Sequence, residues 1–91
     1  MVAAAWAYDQ GYEVFKNMAS SGPIDLVLHK AGVTLLCDVK TADGKPGLDG
    51  QIFAGLLKPS QRAAGIKRLV VLRDGSAVYL DSGARASVEF Q

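Results

Sequence analysis

Ile24-Asp25-Leu26-Val27-Leu28-His29-Lys30-Ala31-Gly32-Val33-Thr34-Leu35-Leu36-Cys37-Asp38-Val39-Lys40 reads as two β-strands joined by a tight turn. Aliphatic and β-branched residues run on both sides of Ala31-Gly32, and the glycine supplies the backbone freedom that such a turn needs. If Ala31 and Gly32 form a two-residue loop, Lys30 pairs with Val33. Counting back along both strands, Asp25 then falls opposite Asp38. Cross-strand partners point to one face of a sheet, with Cβ atoms about 5 Å apart. A four-residue loop from Lys30 to Val33 keeps this register. A three-residue loop, with Gly32 as a bulge residue, puts the two acids on opposite faces.

Two facing carboxylates repel, and a sheet gains no stability from them. A divalent cation compensates directly. Hard oxygen ligands on rigid strands suit Mg²⁺, which binds through one or two carboxylates plus waters and substrate phosphate. The plain alternative is one protonated acid, or two acids splayed into solvent. Alternation along the second strand adds a third group. Val33, Leu35, Cys37 and Val39 line one face; Thr34, Leu36, Asp38 and Lys40 line the other. Lys40 therefore shares the face of Asp38. An Asp-x-Lys triplet is common by chance, but here it ends an apolar strand with an acid opposite. Its alternative is an ordinary surface salt bridge, which contributes little.

The rest of the chain supplies the frame. Residues 2 to 10 are Ala-rich with Trp6 as an apolar anchor, which predicts a helix ending at Gly11. Tyr12 to Met18 reads as a first strand, Ile24 to Lys30 as a second and Val33 to Thr41 as a third. Ala42 to Leu48 is a loop, and residues 49 to 57 are ambiguous. Pro59 opens a short helix through Ala64, with Gly65 at its end. Arg68 to Arg73 is a continuous apolar strand, Asp74-Gly75 a hairpin signal and Ser76 to Leu80 a fifth strand. The expected architecture is α/β: a mixed β-sheet with the order helix, three strands, helix, two strands, and one domain over residues 1–91.

Composition narrows the function classes. Apolar residues make up 49% of the chain and charged residues 21%, which is globular and not disordered. Cys37 is the one cysteine and His29 the one histidine, so neither a disulfide framework nor a Cys/His zinc site is available. Cys37 reads as a small core residue in a reducing compartment. The apolar stretch Met1 to Ala7 lacks a basic leader, is followed by Asp9 and is too short to span a bilayer. The expectation is a cytoplasmic protein with no membrane partner. The net charge of +1 offers no strong field for a polyanion, but its distribution does. Lys40, Lys45, Lys58, Arg62, Lys67 and Arg68 cluster against the acids Asp43 and Asp49, which can make a local phosphate-holding surface or a plain solvated one. Gly44 and Gly47 form no P-loop, because the Gly-Lys-Ser/Thr is missing. His29 reads as exposed, and Trp6, Tyr12, Phe15 and Phe53 as core or interface.

Gly22-Pro23-Ile24-Asp25-Leu26-Val27 followed by Leu35-Leu36-Cys37-Asp38-Val39-Lys40-Thr41 resembles the PD-(D/E)XK nuclease superfamily. The resemblance runs from about Gly11 to Leu80. Pro59-Ser60-Gln61-Arg62 is similar to a helix start in its Holliday-junction-resolvase-like and virus-type replication–repair branches, where a Gln joins the site. Many members carry a metal-holding acid on the first helix; this helix offers Asp9, near its end. The Pro stands two residues before Asp25, a spacing common in the family.

The resemblance implies a metal-dependent endonuclease acting on DNA, branched or otherwise structured DNA included, with RNA not excluded; the chain offers little room for a separate sequence-reading domain, which favours recognition of structure or backbone. Asp25, Asp38 and the Val39 carbonyl would hold Mg²⁺, with Mn²⁺ as substitute. Lys40 would position the attacking water and offset phosphate charge, and Gln61 would orient Lys40, the water or the phosphate. Lys58, Arg62 and Lys67 would grip the flanking backbone without reading sequence. A homing or restriction-type endonuclease is the second enzyme reading, and a non-catalytic nucleic-acid-binding module the third. A short chain with uncovered apolar surface points to a homodimer or higher homo-oligomer.

Overall fold

The computed structural model describes residues 2–19, 22–42, 53–73, 75 and 77–88. Met1, Lys45, Asp43, Asp49, the loop glycines Gly44 and Gly47, Asp74 and Ser76 lie outside the described residues. The elements are α1 (Val2–Asp9), β1 (Glu13–Lys16), β2 (Leu26–Lys30), β3 (Val33–Ala42), α2 (Pro59–Ala63), β4 (Lys67–Leu72) and β5 (Val78–Asp81). They build a small α/β fold on a mixed five-stranded sheet in the order β1-β2-β3-β4-β5. β1, β2 and β3 form an antiparallel meander, β3 and β4 run parallel, and β5 returns antiparallel to β4. The parallel step requires a crossover, and α2 lies within it.

The β2–β3 turn has its two-residue form. Ala31 and Gly32 both take positive φ, 52° and 79°, as a type I′ hairpin turn requires. Lys30 pairs with Val33 and the ladder runs on to Leu26 opposite Cys37. The three-residue alternative is excluded, but the ladder ends at Leu26 and Cys37, so the expected cross-strand pair of Asp25 with Asp38 is not formed.

Alternation then sorts the strands onto two faces. On one, α1 lies across the sheet through Ala3 and Ala7, four residues apart on one helical stripe. These small side chains let the helix approach Leu26, Leu28, Cys37, Leu69 and Val71, with Trp6, Val14, Leu35, Val39 and Leu80 packed around them. On the other face Ala42, Val70 and Leu72 form a smaller cluster under Ala54, Ala77, Tyr79 and Val88. β4 is covered on both sides, which is why its apolar run is continuous.

Several boundaries depart from expectation: β2 begins at Leu26 and not Ile24, and β4 spans Lys67–Leu72 and not Arg68 to Arg73. β1 starts after Tyr12, whose N–H donates to Ala7 O at 3.0 Å and closes the end of α1. β1 ends before Asn17, whose side chain donates to Ile24 O and accepts from Ala19 N–H, both at 2.9 Å. β5 begins at Val78, two residues after the expected start, and ends at Asp81, one residue after the expected Leu80.

Arg68 corrects a reading of charge. Counted above with the surface cations, it is fully buried. Its Nε and Nη2 donate to the two oxygens of buried Asp81 at 2.8 and 2.5 Å. Its remaining donors go to Gly55 O (3.1 Å), Arg85 O (2.8 Å) and Ser87 O (3.2 Å). This network draws the segments around Gly55 and Ser87 over the second face, where Phe53 bridges Ser87 and Ala54 N–H donates to Ala86 O at 2.8 Å.

Gly83 is the tight point of that cover. Its N–H donates to Asp81 Oδ1 at 3.0 Å, its carbonyl accepts from Leu57 N–H at 3.1 Å, and its φ is +71°. A Cβ there would stand 2.5 Å from Leu57 Cγ, whereas one at Gly65, also at positive φ, would meet nothing within 4 Å. Gly83→Ala should therefore cost about 2–4 kcal/mol, combining overpacking with left-handed backbone strain, and Gly65→Ala about 1–2 kcal/mol from strain alone. Urea denaturation of the two variants measures the difference.

Candidate active site

Asp25 sits where the β2–β3 ladder changes. Its N–H donates to Cys37 O at 2.8 Å and its carbonyl accepts from Asn17 N–H at 3.0 Å. Regular pairing stops at Leu26, one step short of an Asp25–Asp38 pair. The side chain takes over there: Asp25 Oδ2 accepts the Val39 N–H at 2.7 Å. Asp25 thus satisfies the β3 backbone with a carboxylate, which fixes that carboxylate beside the Asp38-Val39-Lys40 run. An ionised carboxylate has about four acceptor positions, so one such bond leaves capacity for a further ligand.

Asp38 is buried, with 8% of its surface exposed. Its Oδ2 lies 3.1 Å from Lys40 Nζ. The contact is an ion pair without hydrogen-bond alignment, and among the described residues no donor is aligned on that oxygen. A buried carboxylate oxygen is costly to leave so poorly matched. Lys40 is half-buried, and the Gly55 backbone lies along its stem: a Cβ on Gly55 would be 3.5 Å from Lys40 Cδ.

Asp38 and Lys40 open into a cleft of about 540 Å³ completed by Gly22, Pro23, Leu56, Lys58, Ser60 and Gln61. Pro59 starts α2 at a position where its missing N–H costs nothing. Gln61 then reaches back, accepting Lys58 N–H at 2.9 Å, and donates through Nε2 to Pro23 O at 3.1 Å. One amide therefore ties the helix start to the segment that carries Asp25.

The other candidates divide. Lys58 lines the cleft. Arg62 is exposed on α2 and is not part of the lining. Lys67 pairs in register with Cys37, so it belongs to the α1 face of the sheet, opposite to Asp38. His29 Nδ1 pairs with Thr34 Oγ1 across the hairpin at 2.9 Å, away from the cleft. Trp6 stacks on Tyr12 at 6.5 Å between centroids and packs on the core, while Phe15 and Phe53 are exposed. Sequence reasoning missed Gly55, Leu56 and Ser60. The signal for Gly55 and Leu56 was weak, because residues 49 to 57 show no period that would place them, whereas Ser60 stands in the quoted helix start and was simply given no role.

The donor set can be tested against a cation. Among the described residues, no group of three or more His, Cys, Asp or Glu comes together as a metal cage. Asp38 lines the cleft while Asp25, held on Val39 N–H, is not part of its lining; one or two carboxylates with open space suit Mg²⁺, which keeps several waters and seldom uses an all-protein cage. Asp38 lines the cleft and its buried Oδ2 has no aligned donor among the described residues, so a cation beside it would meet an unmatched acceptor, and the residues present fit it.

Sheet and helices together define a small mixed α/β fold. No family model matches the chain, and no curated protein matches it. Among solved structures, a bacterial homing endonuclease, I-Ssp6803I, is similar, with a TM-score of 0.63 at 19% identity over 87% of this chain and 56% of that one. The likeness is one of fold, and the chain spans little more than half the length of that neighbour. Among the described residues, no helix is long and apolar enough to cross a membrane.

Cys37 stands next to Asp38 but points into the core and is fully buried. Burial pushes its thiol up from 9.0 to about 11. The thiol is therefore neutral at pH 8 and should react with a disulfide reagent at least a hundredfold more slowly than in the urea-unfolded chain. Because the folded value is raised, its contribution to stability is complete below about pH 9 and should fall as pH rises toward 11. Denaturation midpoints from pH 8 to 11, compared with Cys37→Ala, check the sign.

Proposed function

We propose that the chain is a metal-dependent endonuclease that hydrolyses DNA phosphodiesters from the cleft holding Asp38 and Lys40. The observation that carries this reading is the buried, unmatched Asp38 Oδ2 beside Lys40 at the wall of an open cleft. Its similarity in fold to a homing endonuclease supports DNA as the substrate class, and the Asp25…Asp38-x-Lys40 pattern supports the PD-(D/E)XK type.

In this reading Asp25, Asp38 and the Val39 carbonyl hold Mg²⁺. Such an ion would supply Lewis-acid polarisation of a phosphate and a more acidic water. Asp25 contributes geometry, since its bond to Val39 N–H fixes the backbone that presents the Val39 carbonyl. Lys40 brings a mobile positive charge that can leave Asp38 for a phosphate oxygen and offset the charge that builds there. Lys58 holds flanking phosphate, Arg62 extends that grip along α2, and Gln61 keeps the α2 start registered on Pro23. Lys67, on the far face, contributes at most at long range.

The neighbour favours a homing-type cut of duplex DNA over a junction-resolving one. Incubation with plasmid and with a four-way junction, in Mg²⁺, Mn²⁺ or EDTA, separates the two. Metal-dependent cleavage of neither substrate, with binding retained, would leave the binding-module reading.

Two variants test the roles. Asp38→Asn should abolish cleavage and metal binding while the fold is kept. Lys40→Met keeps the apolar stem against Gly55 and removes the cation beside Asp38. Metal affinity should hold or rise, yet single-turnover cleavage should slow by about a hundredfold or more, as for the loss of one oxyanion-hole donor. Extra Mg²⁺ should not restore the rate. A rate unchanged in Lys40→Met would remove Lys40 from the chemistry.

A further inference from the structure

Asp38, Arg68 and Asp81 stand in one row across the sheet. Asp38 pairs in register with Arg68 on β4, and Arg68 pairs with Asp81 on β5. Register partners share a face, so the guanidinium lies between two carboxylates, each one strand away. It goes wholly to one of them. Two donors grip Asp81 and the other three are used by Gly55, Arg85 and Ser87 carbonyls. A guanidinium has five N–H donors, so none remains for Asp38, and Asp38 Oδ2 is left without an aligned donor among the described residues.

We propose that Asp81 is a positioning residue of the cation site: by holding both edges of Arg68 it keeps this buried cation off Asp38 and leaves the Asp38 carboxylate open to a divalent ion. The proposal rests on the cation reading of Asp38 given above. A guanidinium that lost its β5 carboxylate would have Asp38 as the nearest anion in its row. A bidentate pair there would occupy the oxygens a metal needs. The fold therefore carries a competitor to its own metal site and a second acid that restrains it. Asp81 is itself fixed by the Gly83 N–H at 3.0 Å, so the restraint is built into the β5 end.

The test is titration of the whole chain with Mn²⁺ alone by calorimetry, together with a crystal structure of Asp81→Asn. Asparagine keeps an acceptor for Arg68 and for Gly83 N–H but removes the charge. Asp81→Asn should bind Mn²⁺ at least tenfold more weakly than the parent. The double variant Arg68→Met, Asp81→Asn, which has no competitor, should return to within about threefold of the parent. A merely structural role for Asp81 would weaken both variants alike, and that result overturns the proposal, as does parent affinity in Asp81→Asn.

The crystal structure reads the same idea with no metal present. Arg68 turned onto Asp38 supports it, and Arg68 still on Asn at position 81 sinks it. Should Asp81→Asn not fold, Asp81→Glu keeps the charge while displacing the carboxylate by one methylene; a threefold or greater loss of Mn²⁺ affinity supports the proposal and parent affinity overturns it. Asp38→Asn separates the two readings. If it binds Mn²⁺ as the parent does, the cation reading fails; if it loses binding while Asp81→Asn does not, the Asp81 proposal alone fails.

Discussion

Arg68 brings a full positive charge to a position on the sheet that water does not reach. Such a charge costs several kcal/mol in desolvation even after relaxation, unless every donor is matched. The fold meets the condition completely. Two of its five N–H groups meet Asp81, and three meet main-chain carbonyls from segments with no regular structure of their own. Those segments are consequently held by the guanidinium as well as by their apolar side chains. Removing Arg68 would loosen Gly55, Arg85 and Ser87 together, because each gives a carbonyl to the same group. The second face of the sheet is thus organised around a charge and not around an apolar core, which on that side is small.

This cover reaches the cleft through Gly55. The carbonyl that Arg68 holds belongs to the residue whose backbone lies along the Lys40 stem. A Cβ at position 55 would make ordinary van der Waals contact with the Lys40 stem. On the other flank, Asp25 fixes the β3 backbone at Val39 and Gln61 fixes Pro23 to the start of α2. Lys40 therefore projects from a backbone pinned on both sides, while its ammonium stays partly exposed. A rigid base with a mobile charged tip is the arrangement that electrostatic stabilisation of a developing anion requires.

Much of the frame was legible because two short-range rules are strict. Ala31-Gly32 permits few turns, and once a two-residue loop forms, the alternation of β3 places Asp38 and Lys40 together. The Ala-rich run likewise declared the helix, though not that Ala3 and Ala7 are the residues it sets on the sheet. What escaped the sequence was decided at longer range. Counting back the ladder reached Asp25, but nothing local shows that its carboxylate replaces the next rung by accepting Val39 N–H. Arg68, at the edge of an apolar run, reads like a strand-end cation in solvent. Its burial depends on Asp81, which a two-residue turn at Asp74-Gly75 would place opposite Arg68, but the fifth strand as read from sequence stopped at Leu80, one residue short of that partner. Gly55 and Leu56 lacked any period because a carbonyl bond to Arg68, and no pattern of side chains, sets their place.

The chemistry of the two cations explains why they are not interchangeable. Both stand on the face of Asp38, one in register across the β3–β4 pair and one two residues along β3. A guanidinium is planar and presents its donors in a fixed fork, so it suits a site where every acceptor is set in advance. An ammonium is a compact charge on a flexible stem, so it can exchange one oxygen for another at small cost. The fold gives the first kind of site to Arg68 and the second to Lys40. Asp38 consequently faces one cation that is already fully engaged and one that can move. A carboxylate in that position is neutralised enough to persist in a half-buried wall, yet not bound so firmly that an incoming ion and its phosphate could not displace the contact.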